Sequence, residues 1–466
     1  MTHRVAGAPL DFAALRADLE VPGDFASEVL ADAQRSADAV ELPDEDATDL
    51  PLVTIDPAGS RDLDQAVHLA REGDGFLVSY AIADVSAFVR PGSPVDLEAH
   101  ARGETLYFPD QRVPLHPPVL SEGAASLLPG QLRPAVLWRI TIGADGEVSA
   151  VDVRRARVRS VAQLDYAGVQ ADADRGALPD AIALLPAVGA ARLAAARRRH
   201  AIDLDLPEQV VEQEGGAWRL RLRTPLPVER YNASISLLTG TCAAELMLRA
   251  GVGVLRVVPS PEPGAVAALR RAARALQVPW PDGALPGDVL DRLERGDPRH
   301  VALLEHATSL LRGAGYVAFA GGPPEQTLHA GIGAPYAHVT APLRRLVDRY
   351  ATEVCLAVHA NALVPDWVSS ALASLPGEMQ QADHRAHAAD RAVVDATEAW
   401  LLRDRVGEPF AATVIDAEER TGTVVLDDPA VRARCDGTHL PVGERITVRL
   451  VTADVATRQV RFAAQL

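Results

Sequence analysis

A chain of 466 residues with 48% apolar side chains is long enough for roughly two to four domains and a substantial core. Its net charge of −17 argues against a broadly basic nucleic-acid-binding surface, though an acidic protein can still hold phosphates in a locally basic channel. No apolar run approaches the ~20 residues of a bilayer span, Met1 to Leu10 has no apolar signal core, and Cys242, Cys355 and Cys435 lie far apart without zinc or redox spacing, so a reduced, cytoplasmic monomer with no membrane and no disulfide partner is expected.

All 46 basic residues are arginine, which makes every cationic phosphate contact a guanidinium fork. Residues 11–38 read as two helices broken at Pro22-Gly23, with Asp24 as cap of the second and Phe25, Val29 and Leu30 on one face. The pattern fits a helix-turn-helix element and plain packing helices equally. An acidic linker follows, with Glu41, Asp44, Glu45, Asp46 and Asp49, and closes an N-terminal region over residues 1–48.

Three carboxylates, Asp56, Asp62 and Asp64, then crowd behind the short apolar strand Pro51 to Ile55. Pro57 and Gly59 force a turn, and Asp62 and Asp64 sit two apart, so both can face one side of an extended piece. Oxygen ligands at this density suit Mg²⁺ or Mn²⁺. The spacing alone fits a solvated acidic loop as well. It excludes a calcium EF-hand, because Val67 occupies the position of the bidentate glutamate and Ala58 and Ser60 two further ligand positions.

Beyond it, Phe76 to Ala83, Ala135 to Ile142 and Val148 to Val158 read as antiparallel strands. Residues 179–201 are helical, and Trp218 to Arg223 is a strand whose alternation puts Arg219, Arg221 and Arg223 on one face, either solvated or tracking phosphates. Helices are expected over 229–250, over 263–276 and onward to about 405, with Pro342 opening one that carries Leu343, Leu346, Val347, Tyr350 and Val354 on a stripe. From Gly407 the chain turns to short strands, Ala411 to Val414, Gly422 to Leu426, Arg445 to Val451 and Val460 to Phe462; about five in some sixty residues fit an OB barrel.

The run Thr54 to Gln65, followed in order by Tyr80 to Val89, Arg102 to Phe108, Leu120-Ser121 with Ser126 to Gly130, and Tyr336 to Arg345, resembles the RNB catalytic domain of the ribonuclease II family. The resemblance implies an α+β architecture: an RNB domain of antiparallel strands with surrounding helices over 49–405, a small helical region before it, and an S-one-type OB barrel over 406–466. It implies a 3′-to-5′ hydrolytic exoribonuclease that takes single-stranded RNA to nucleoside 5′-monophosphates by a two-metal mechanism with Mg²⁺ or Mn²⁺. Asp56, Asp62 and Asp64 match the metal-site acids, with Asp64 the most directly catalytic. Gln65 stands where the family has a further aspartate and offers only a neutral oxygen. Arg344 matches the arginine that steadies the scissile phosphate, Tyr107 the aromatic that stacks on the terminal base, and Asp390 a family glutamate. With Arg345, Arg219, Arg221 and Arg223, the last two make up the expected RNA-binding set.

Three departures from the family pattern carry weight. Residues 1–48 cannot supply the cold-shock barrels of other bacterial members, so a more open channel mouth that admits 3′-overhang duplexes is expected. Around Asn232 to Leu238 the family's paired glutamates are absent, and Ala341 replaces a serine. Gln65 and the missing glutamates keep open a rival: an RNA-binding or regulatory protein on an RNB scaffold with weakened catalysis. An endonuclease or deoxyribonuclease is the other alternative.

Overall fold

The computed structural model describes residues 10–294, 297–426 and 428–465. Met1 to Pro9, most of the stretch read as lacking a signal core, lie outside them. The strands of the first half are β1 (Val53–Asp56), β2 (Gln65–Glu72), β3 (Gly75–Ala83), β4 (Leu106–Tyr107), β5 (Arg112–Val113), β6 (Leu132–Ile142), β7 (Val148–Arg159) and β8 (Ala162–Asp165). Six of them form one sheet in the order β7-β6-β3-β2-β1-β8, antiparallel except for the parallel pair β1 and β8.

The near-continuous apolar run of β3 reflects burial on both faces, not a half-solvated hairpin. Strand alternation divides its side chains. Val78, Tyr80 and Ile82 join Val136, Trp138 and Ile140 under the helices Pro227–Ala250 and Leu346–His359. Ala81 and Ala83 join Ala135 and Leu137 in a second core with Phe88, Val95 and Leu120. Gly240 on the first helix is in close contact with the Tyr336 ring and accepts the Ala337 N–H at 3.1 Å. A side chain there would push away the segment that leads into the site.

Both N-terminal helices pack on the large domain. Phe12–Asp18 is capped by Asp11 and buries Phe12 edge-on against Trp218, ring centroids 5.1 Å apart. Ser27–Asp38 buries Val29 and Ala33 in the second core, while Leu30 is exposed. Its N-cap is Ala26, without a side-chain bond, so Asp24 does not cap it. Each helix thus has a packing face on the large domain.

A closed five-stranded barrel ends the described chain. Its strands are Pro409–Ala417, Thr421–Leu426, Arg432–Asp436, Arg445–Asp454 and Gln459–Ala464; the first pairs with the second and fourth, and the third with the fifth in parallel. Arg432–Asp436 is the strand that charge alternation hides from sequence reading. Phe410, Val424, Cys435, Val448 and Phe462 fill the interior. The chain is therefore α+β, and no helix among the described residues is long and apolar enough to cross a membrane. Cys242, Cys355 and Cys435 are free and buried.

Candidate active site

The acidic loop joins β1 to β2 and is held from below. Leu63 is fully buried, its N–H donates to Ser126 Oγ at 3.0 Å, and that hydroxyl donates to the Arg61 carbonyl at 2.6 Å. Fixing Leu63 sends its two aspartate neighbours to different partners. Asp64 is 4% exposed; its Oδ1 accepts the Leu343 N–H at 2.8 Å and its Oδ2 lies 3.5 Å from Arg344 Nε. Burial pushes its carboxyl up to about 8, against the opposing pull of Arg344 and the Leu343 N–H. Asp62 is ion-paired with Arg112 and accepts from the Tyr107 hydroxyl at 3.3 Å.

Asp56, at the end of β1, is pushed up to about 6 by burial, with Asp62 adding to the rise and Thr54 and Arg344 opposing it. Its Oδ2 is buried without a hydrogen-bond partner. A desolvated carboxylate oxygen of that kind fits a cation. Among the described residues no three His, Cys, Asp or Glu side chains converge on one ion in this conformation, with Asp62 turned to Arg112 and Asp64 to the Leu343–Arg344 turn. Gln65 donates its amide N–H to the Thr340 carbonyl, which leaves only the amide oxygen for a ligand.

Pro342 does not open a helix. Residues 342–344 form a turn, and the helix starts at Leu346, after Arg345 in an extended conformation. The reason lies one turn ahead: Asp348 accepts the Ala341 N–H at 2.7 Å and both Nε and Nη2 of Arg345 at 2.9 Å, which ties the turn to the helix start. The two adjacent arginines consequently differ. Arg345 is locked on the fully buried Asp348, while Arg344 keeps a side chain 43% exposed beside Asp64.

Tyr107 lies opposite Arg112 on the β4–β5 hairpin and is 46% exposed. With Glu104, Arg344, Arg345 and Asp390, it lines a cavity of about 210 Å³ between this hairpin, residues 344–345 and the helix Leu375–Leu402. Asp390 has a carboxyl raised by burial. Across the domain, Asn232 donates to the Tyr166 hydroxyl at 3.3 Å, and Ser236 pairs with Thr340 at 2.7 Å, so the helix that lacks the paired glutamates still reaches the segment carrying Thr340.

The structure thus brings Asp56, Asp62, Asp64, Gln65, Arg344, Arg345, Tyr107 and Asp390 into one region. It does not add Arg219, Arg221 and Arg223 to the cavity wall. These stand on the exposed face of the hairpin Glu208–Glu214 and Ala217–Arg223, each bonded to Glu214, Glu208 or Glu229. Sequence reading missed Arg112, and it gave no role to Glu104 and Ser126, which lie within the family-like runs. Pro109-Asp110 marks the turn that sets Arg112 opposite Tyr107.

A mixed sheet carrying an acidic loop, faced by an arginine turn and followed by a small closed barrel, defines a two-part α+β protein. The RNB domain model matches residues 44–360, and the RNase II-type exonuclease C-terminal S1 domain matches residues 408–465. The chain belongs to the RNB family. It is similar to ribonuclease R of Escherichia coli, at 29% identity over 424 residues, covering 83% of this chain and 51% of that one. It therefore spans about half the length of that relative. Its fold is shared with the apo form of Mycoplasma genitalium RNase R (TM-score 0.86, 18% identity, 97% of this chain and 77% of that one). Yeast Ssd1, a pseudonuclease, shares it too (TM-score 0.69, 16% identity, 92% and 53%).

Proposed function

We propose that this chain is a 3′-to-5′ hydrolytic exoribonuclease that shortens single-stranded RNA to nucleoside 5′-monophosphates. The observation that carries this reading is the meeting of Asp64 and Arg344 at the edge of a cavity that also holds Tyr107, in a chain of the RNB family. A pair of Mg²⁺ or Mn²⁺ ions, held by Asp56, Asp62 and Asp64 with the Gln65 oxygen, would supply a water near its hydroxide form and charge relief at the leaving oxygen. The residues themselves do the positioning. Arg344, freed from the helix and partly exposed, is aimed at the negative charge that builds on a phosphate beside Asp64. The exposed ring of Tyr107 offers a stacking face that accepts any base, worth about 1–3 kcal/mol. The tie from Gln65 to Thr340 and the bond from Leu343 to Asp64 hold acid and arginine in register.

A second reading, an RNA-binding protein with weakened catalysis, is favoured by the divergence of the three aspartates in this conformation. Incubating 5′-labelled RNA with Mg²⁺ or Mn²⁺ separates the two. Release of mononucleotides from the 3′ end supports the first; bound, intact RNA supports the second. Internal fragments or equal cutting of DNA would point to an endonuclease or deoxyribonuclease.

A further inference from the structure

Glu104 has no part in the reading above, yet the fold goes to some length to place it. The helix Pro94–Arg102 ends at Gly103, whose φ of +74° turns the chain sharply, and a Cβ there would lie 2.5 Å from that of Ala382. The turn delivers Glu104 into a backbone bridge with Arg345, flanked by Thr105 N–H to the Arg344 carbonyl at 3.0 Å and Leu346 N–H to the Gly103 carbonyl at 2.9 Å. Glu104 therefore enters the same cavity of about 210 Å³ as Tyr107, Arg344, Arg345 and Asp390.

One of its carboxylate oxygens, Oε1, is buried with no hydrogen-bond partner. Two nearby cations are engaged by other acids, Arg345 by Asp348 and Arg256 by Asp383 at 2.5 Å, and Arg344 is turned to Asp64. Burial, with the field of Asp383, pushes the Glu104 carboxyl up to about 7. A buried acceptor without a donor is costly, and the fold supplies none. The cavity is smaller than the roughly 300 Å³ of a typical small-molecule pocket, so it suits the end of a chain whose remainder lies outside.

We propose, resting on the exoribonuclease reading, that Glu104 is a specificity-determining residue: it accepts a hydrogen bond from a sugar hydroxyl of the 3′-terminal nucleotide and excludes a terminal phosphate. Stacking on Tyr107 leaves the base unread, so the donor common to every RNA end is the sugar hydroxyl. A terminal phosphate would bring added negative charge beside Glu104 and Asp390, while Arg345 is held by Asp348 and Arg344 faces Asp64 and, in the reading above, the scissile phosphate.

The test compares initial rates of shortening of two 5′-labelled RNAs that differ only in a 3′-hydroxyl or a 3′-phosphate, for the parent chain, Glu104→Gln and Glu104→Thr. At pH 8, where the Glu104 carboxyl is mostly ionised, the parent should prefer the hydroxyl end by roughly tenfold or more, the scale of a hydrogen bond to a charged group. Both variants should narrow that preference to within about threefold. Two variants of different size guard against one that misfolds, which circular dichroism would reveal. A parent that treats both ends alike, or folded variants that keep its preference, would overturn the inference while leaving exonuclease action intact. Failure of the parent to release nucleotides from either RNA would overturn the exoribonuclease reading, and this inference with it.

Discussion

Arg344 and Arg345 stand at the acidic cleft, whereas Arg219, Arg221 and Arg223 stand on an outer hairpin. The first pair differs internally, one guanidinium buried on Asp348 and the other left beside Asp64. The hairpin arginines are 43% to 56% exposed and share Glu214, Glu208 and Glu229. Exposed pairs contribute about 0–1 kcal/mol; Arg344 is 43% exposed like Arg219 and Arg223, but the acid it faces has a side chain 5% exposed, whereas Glu214 and Glu208 are more than half exposed. Guanidinium chemistry is identical in both places; what differs is the number of elements that converge on it.

The severest challenge to this contrast is to remove the acid that Arg344 faces. Asp64→Asn should lower single-turnover cleavage on the order of a thousandfold while RNA affinity stays within about threefold, because the binding contacts lie elsewhere. Comparable rates in variant and parent would sink the assignment of Asp64. Arg344→Ala should follow, with kcat reduced by roughly 10²–10³ and a smaller change in KM, the signature of charge stabilised mainly in the transition state.

Arg345→Ala probes the other member of the pair. It leaves Asp348 buried and unpaired, so urea unfolding should show a loss of about 3 kcal/mol; an unchanged midpoint would mean that the pair does not hold the turn. The smallest effect is expected from replacing Arg219, Arg221 and Arg223 together by alanine. RNA affinity should change by less than about threefold, with the same slope against salt. A tenfold loss with a shallower slope would instead put the hairpin on the path of the RNA and dissolve the contrast.

Much of this was legible in the sequence. The strand around Phe76 to Ala83 shows itself as an unbroken apolar run, and the barrel as short strands between polar turns. Asp56, Asp62, Asp64, Arg344, Tyr107 and Asp390 were named from motif and order, and the structure gathers them. What stayed hidden depends on distant partners. Periodicity around Pro342 predicts a helix, but the Ala341 N–H and the Arg345 side chain are claimed by Asp348, which delays the helix to Leu346. Alternation marks Arg219, Arg221 and Arg223 as sharing a face without saying what the face meets. Glu104 reads as one more polar residue after a helix; its isolation follows from Arg345 and Arg256 having been taken by other acids.

The cleft is stitched across a long interval of chain: Gln65 reaches Thr340 over 275 positions, and Asp64 reaches Leu343 over 279. On a ribosome adding about 5–20 residues per second, the aspartates emerge on the order of 15 to 60 seconds before their arginine. Throughout that interval the nascent polypeptide carries the carboxylates without the turn that completes them. The bonds from Gln65 and Asp64 can form only after translation has passed Leu343, so the cleft is among the last parts of the large domain to be completed in the order of synthesis.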